Sequence, residues 1–235
     1  MHVGILYDQP KFAEITTGAN WIGVILSEPL DSNYYNYYKP FVDQMHAAGL
    51  TVAGTLYRRT LSATSDAVRK VASLGFDMII LDELLSQGVL TNPQQFNKLA
   101  SQAKSKAHNL KIGLSDFDMN KLESFLKRGA KPDFIARTCY TGNLQTLEQK
   151  VDVVVSLGIS YGIPAYVWIN FADSTATTTT DQATMSTLAS YAASKANGVW
   201  FWEYGDQTES DWIWGDWYLT NYPYVRNLVG LLQQS

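Results

Sequence analysis

The sequence predicts an α/β fold: one (β/α)8 barrel domain spanning residues 1–235. Three observations predict it. Short apolar, β-branched runs alternate with amphipathic segments at a spacing of about 30 residues. Those runs are apolar on both faces, as parallel strands covered by helices are. The first run ends "LYDQPKF" with no glycine-rich phosphate loop, which the rival doubly wound sheet would usually show there.

The elements follow in order. "HVGILYD" (2–8) is the first strand, with a short helical segment at 11–19. "WIGVILSEP" (21–29) leads into a helix over 32–49, and "TVAGTLY" (51–57) into one over 62–75. "DMIILDE" (77–83) precedes a helix over 92–108, and "KIGLSDF" (111–117) one over 119–130. "PDFIARTCY" (132–140) precedes a helix over 143–158, and "YGIPAYVWINF" (161–171) one over 179–196. "GVWFWEYG" (198–205) is the eighth strand, with a last helix near 215–233.

The punctuation agrees. Gly49, Gly75, Gly129 and Gly158 stand where helices stop, and glycine suits the left-handed position that ends one. Ser62, Asn92 and Thr179 or Thr180 stand at helix starts, where a side-chain oxygen can accept an orphan N–H. Ala63, Ala67, Val68, Val71 and Leu74 share one helical face.

Composition narrows the function. The chain is 46% hydrophobic, enough for a large core, and only 17% charged. A net charge of −4 offers no basic footprint, so nucleic acid is not an expected partner. No apolar run reaches the ~20 residues that span a bilayer. The polar, aromatic, charge-poor surface suggests an extracellular or cell-surface protein. The lone Cys139 reads as an inert buried residue.

In such a barrel the active site lies at the C-terminal ends of the strands. Those ends supply Tyr7 and Asp8, Glu28, Tyr57 with Arg58 and Arg59, Asp82 and Glu83, Asp116, Arg137 and Tyr140, Trp168 and Asn170, then Trp200, Trp202 and Glu203. None of the three histidines, His2, His46 and His108, is at that rim, nor is any lysine. That argues against a histidine triad, a zinc site or a Schiff-base aldolase. No cofactor or metal is expected.

Carboxylates with arginines, tyrosines and tryptophans suit a carbohydrate. Sugar rings stack on aromatic side chains, and their hydroxyls bond to Asp, Glu, Asn and Arg. Glycoside hydrolysis needs one protonated and one ionised carboxyl group, and crowding of like charges keeps one member protonated. Glu83 is the candidate general acid/base and Asp82 its neighbour. Glu203 or Asp116 is the candidate second carboxylate. Tyr7, Asp8, Glu28, Arg58, Arg137, Tyr140, Trp168, Asn170, Trp200 and Trp202 are candidate substrate-binding residues, with Trp212, Trp214 and Trp217 as a further aromatic platform. Asp82 and Glu83 have a plainer reading, as caps of the next segment or partners of Arg58 or Arg59. Adjacent residues of a straight strand also face opposite sides, so both acids reach the mouth only where the strand breaks.

Two stretches resemble known families. "GVWFWEYGD" (198–206) resembles the end of the last strand in family-18 chitinases, where the matching tryptophan, here Trp202, floors a sugar subsite. "LGFDMIILDE" (74–83) resembles the acid-bearing strand of spherulin-4-like glycosidases (glycoside hydrolase family 135) and polygalactosaminidase-type barrels. Asp82 and Glu83 match their acid pair. Family-20 hexosaminidases carry a similar Asp-Glu pair. The resemblances imply a glycosidase on a polysaccharide or glycan, amino-sugar polymers included. Glu83 would be the acid, and Asp82 a nucleophile, a water-activating base or an orienter of an acetamido group. The alternative is a barrel that binds carbohydrate without cleaving it.

Overall fold

The computed structural model describes residues 1–7, 19–26, 30, 33–57, 60–170, 182–203, 228–230 and 232–233, with the backbone alone for 4–7, 170, 182, 202 and 203. Eight parallel strands close into a barrel in sequence order: β1 (His2–Tyr7), β2 (Trp21–Ile25), β3 (Thr51–Leu56), β4 (Met78–Asp82), β5 (Lys111–Ser115), β6 (Phe134–Thr138), β7 (Ala165–Asn170) and β8 (Gly198–Glu203). β8 pairs with β1 to complete the ring, so no edge strand is left open. Six helices lie among the described residues: α1 (Tyr34–Ala47), α2 (Leu61–Ala72), α3 (Pro93–Lys104), α4 (Met119–Lys127), α5 (Leu144–Tyr161) and α6 (Gln182–Lys195). Residues 228–230 and 232–233 are helical as well. The expected segment at 11–19 falls almost wholly outside the described residues, as do Thr179 and Thr180.

Strand alternation splits the apolar residues into two cores. One lies between barrel and helices and holds Val3, Val52, Ile79, Leu81, Ile112, Leu114, Ile135 and Val167. The other fills the barrel with Trp21, Ala53, Met78, Ile80, Phe134, Ala136, Tyr166, Trp168 and Trp200. Its base is aromatic: Trp21 meets Trp200 at 5.3 Å and Tyr166 at 5.4 Å, and Phe134 meets Tyr166 at 5.5 Å, all tilted or edge-on as ring quadrupoles favour. This apolar plug closes the N-terminal end and leaves the opposite mouth for polar groups.

A fourfold clasp holds the lower ends of the strands. The residue before each even-numbered strand is Asn20, Asp77, Asp133 or Asn197. Its side-chain oxygen accepts the backbone N–H of Val3, Val52, Ile112 or Ala165, at 2.9, 2.7, 2.7 and 2.8 Å. Each clasp residue also donates its own N–H to the carbonyl of that same partner. The ladder thus gains a two-bond tie at each quarter of the barrel, where strand pairing would otherwise fray.

Two punctuation marks fall differently from the sequence reading. Thr60, not Ser62, caps α2: its hydroxyl accepts from Ala63 N at 3.1 Å. Asn92 does cap α3, in a capping box closed by Gln95. Gly158 lies inside α5, which runs on to Tyr161 and stops at Gly162 with φ 65°. The reason for glycine at 158 is proximity: a Cβ there would stand 2.6 Å from the Ile163 carbonyl oxygen and 2.9 Å from Ala165 Cβ.

Candidate active site

Strand β4 runs "MIILD", every residue buried, and Asp82 is its last residue. Inward-facing positions on β4 are Met78 and Ile80, so Asp82 continues that file to the top of the barrel interior. Glu83 then departs from strand geometry with φ 55°, the one non-glycine positive φ among the described residues. Its N–H still bonds Ser115 O at 2.8 Å. A left-handed residue ends the up–down alternation, so Glu83 is not sent to the outer face as a continuing strand would send it.

Asp116, the residue after β5, anchors the turn that follows. It is fully buried, and its carboxylate accepts from Ser86 N at 3.0 Å, from the Ser86 hydroxyl and from Asp118 N at 3.0 Å. Leu84, Leu85 and Leu90 are buried beneath the same turn. Lys121 Nζ donates to Ser86 O at 3.2 Å. Asp118 caps α4 by accepting Lys121 N at 3.1 Å. The segment carrying Glu83 is therefore held from both sides.

The acids influence one another. Burial pushes the Asp82 carboxyl up to about 8; the Ser115 hydroxyl beside it offsets part of this, and Glu83 and Asp116 add to it. Burial also raises Glu83, with Asp116 adding and Gln87 opposing. Asp82 Oδ1, Ser115 Oγ and Thr55 Oγ1 are buried without a hydrogen-bond partner of good geometry among the described residues. Ser115 stands opposite Asp82 in the ladder, and Thr55 stands opposite Ile80, one inward position lower. A neutral carboxyl and two hydroxyls thus gather on three neighbouring strands.

The remaining candidates separate. Tyr140 is half-buried against the barrel-interior cluster. Trp168 and Trp200 are 1% exposed and belong to that interior packing; Trp200 stacks edge-on against Trp21, which takes it out of the mouth. Arg137 also departs from expectation. It follows the inward Ala136, faces the helix layer, and its Nη1 donates to Lys150 O on α5 at 3.1 Å. Strand alternation turns it away from the mouth. Burial pushes the Cys139 thiol up to about 12, consistent with an inert packing residue. For Tyr7, Asn170, Trp202 and Glu203 the backbone register is described: Tyr7 pairs with Glu203, and Asn170 with Trp202. Asp8, Glu28, Arg58, Arg59, Trp212, Trp214 and Trp217 lie outside the described residues. Among the described residues no group of three His, Cys, Asp or Glu side chains could hold a metal ion.

No protein-family profile matches the sequence, and no curated protein sequence matches it. Solved structures do. A protein from Cytophaga hutchinsonii is similar over 98% of this chain and 89% of its own, at 8% identity and a TM-score of 0.72. The cellulose synthase subunit Z (CcsZ) of Clostridioides difficile is similar over 97% and 99%, at 10% identity and 0.68. The glycoside hydrolase domain of PgaB (BpsB) from Bordetella bronchiseptica is similar over 99% of both chains, at 10% identity and 0.65. The fold is a (β/α)8 barrel. At such identities the likeness shows that and no more, and an HpcH/HpaI aldolase from Desulfitobacterium hafniense shares it at 0.56. No helix among the described residues is long and apolar enough to cross a membrane.

Proposed function

We propose that the protein is a glycoside hydrolase acting on a polysaccharide or glycan, with its catalytic centre at the C-terminal mouth of the barrel. The observation that carries this reading is the break at Glu83, which keeps two consecutive acids at the end of β4. Glu83 is half-buried and is the general acid/base; burial favours its protonated form, as proton donation to a leaving group requires. Asp82 is held neutral below pH 8 and serves as a hydrogen-bond donor that orients Glu83 or the sugar. Asp116, saturated by Ser86 and Asp118, holds the Glu83 turn in place. Glu203 is the candidate for the ionised second carboxylate. The presence of glycosidases among similar barrels supports the class. A secreted location fits the same reading.

The test is a screen on neutral and amino-sugar polysaccharides, repeated with Glu83→Gln and Glu203→Gln. Loss of a general acid/base costs about 10²–10⁴-fold. Undiminished turnover by Glu83→Gln would sink the assignment.

One observation favours a second reading, a barrel that binds carbohydrate without cleaving it. Among the described residues burial pushes Asp82 toward its neutral form and Asp116 is engaged by Ser86 and Asp118, so neither is a free ionised partner for Glu83. Binding without turnover, unchanged in Glu83→Gln, would select that reading.

A further inference from the structure

A pair of cations sits at the junction of β6 and α5, apart from the acids of β4. Arg137 Nη1 donates to Lys150 O at 3.1 Å, and Lys150 Nζ reaches back to Tyr140 O at 3.1 Å. Arg137 Nε is buried without a hydrogen-bond partner. Both side chains are half-buried. The partners they do have are carbonyl groups, which satisfy hydrogen bonds but cancel no charge. Neither residue joins an ion pair among the described residues. Other lysines of this chain do: Lys39, Lys70, Lys104, Lys121 and Lys127 each face an aspartate or glutamate.

The acids nearest in sequence do not serve. Glu148 and Asp152 flank Lys150 at a spacing of two, which on a helix turns them off its face. Asp152 also accepts the Tyr191 hydroxyl at 2.9 Å. Two part-buried positive charges without a counter-charge among the described residues repel each other and lose hydration. Burial lowers the pKa of both, and Arg137 lowers that of Lys150 further.

We propose that Arg137 and Lys150 form an anion site between β6 and α5, in the helix layer, that takes a small oxyanion: a sulfate, phosphate or carboxylate group. A guanidinium offers a planar fork of donors matched to two oxygens of such a group, and an ammonium adds a point charge beside it. The site stands whether or not the protein cleaves a glycan. Its oxyanion can come free from solution or be carried by an acidic sugar.

Calorimetric titration with sodium sulfate, against sodium chloride at matched ionic strength, tests the site. Saturable sulfate binding is expected, weakened at least tenfold in Arg137→Gln and in Lys150→Gln, and retained in Lys150→Arg. Circular dichroism checks each variant's fold, and Lys150→Gln carries the test should Arg137→Gln fail to fold. A second arm compares oligogalacturonate with a neutral cello-oligosaccharide. Oligogalacturonate binding that falls with the same substitutions marks a glycan-borne carboxylate; sulfate binding alone marks a free ion. Absence of saturable sulfate binding overturns the proposal. So does equal binding in the double variant, which would mean an adventitious ion only.

Discussion

Asp82 stands directly opposite Ser115 across the β4–β5 ladder, and both are buried with side-chain oxygens that lack a well-formed partner. A carboxylate in that setting would be costly, so the group keeps its proton. Burial sets that preference, with the Ser115 hydroxyl opposing it, and so ties the stability of the barrel mouth to pH.

Asp82 therefore predicts a pH effect on folding. Its carboxyl titrates near 3.8 when unfolded and near 8 when folded. Between those values the folded state holds a proton that the unfolded state has released. The contribution is fully present below about pH 4 and is lost as pH rises through about 8. Each pKa unit is worth about 1.4 kcal/mol, so the loss amounts to a few kcal/mol. Urea unfolding at pH 5 and pH 8 should show a clear fall in wild type and a much smaller one in Asp82→Asn. Parallel pH profiles would contradict the buried neutral acid.

Glu83 occupies a backbone conformation that an L-residue adopts at a cost of about 1–2 kcal/mol. Glu83→Gly removes that strain, so the variant should unfold at equal or higher denaturant concentration. Under the glycosidase reading it should lose at least about 100-fold in turnover. A marked loss of stability would mean that the Glu83 side chain holds the turn together.

Asp116 makes the opposite prediction. Asp116→Ala strands the Ser86 and Asp118 N–H groups and frees the Glu83 turn. Removing a buried, charge-assisted network of this kind costs about 3 kcal/mol. Denaturant unfolding measures the cost. Limited proteolysis should show new cleavage within 84–91; a variant as stable as wild type would remove Asp116 from its anchoring role.

The clasp residues can be counted one by one. Asn197→Ala should cost about 1–2 kcal/mol, because Ala165 N–H loses its acceptor at the base of β7. Asp133→Ala should cost more, since Lys104 also loses its carboxylate. Thermal melts of the two variants rank them, and the reverse order would argue against the ion pair.

Gly113 packs against the Phe134 ring inside the barrel. A Cβ there would stand 2.2–2.4 Å from three atoms of the Phe134 ring, so Gly113→Ala should destabilise by about 1–3 kcal/mol through overpacking. Gly113→Ala combined with Phe134→Leu should recover part of the loss.

The sequence by itself determined the barrel and the place of the acids. Eight apolar runs at regular spacing admit few architectures, and strand periodicity puts Asp82 at the end of the fourth run whatever its partners are. The break at Glu83, the feature on which an adjacent acid pair depends, was not legible. "DELL" reads equally as strand or turn, and the turn that Glu83 opens is tied through Ser86 to Asp116, far along the chain on the neighbouring loop. The rim residues were legible as a list but not by direction. Trp200 and Arg137 both read as strand-end residues in the sequence, yet Trp200 lies mid-strand in the aromatic plug and the pleat sends Arg137 to α5. The clasp was hidden too, because Asn20, Asp77, Asp133 and Asn197 look like ordinary polar residues until parallel pairing brings their partners alongside. Local pattern fixes which residues form strands and where the strands end. Only closure of the sheet decides which side chains face one another, because those contacts join segments far apart in the chain.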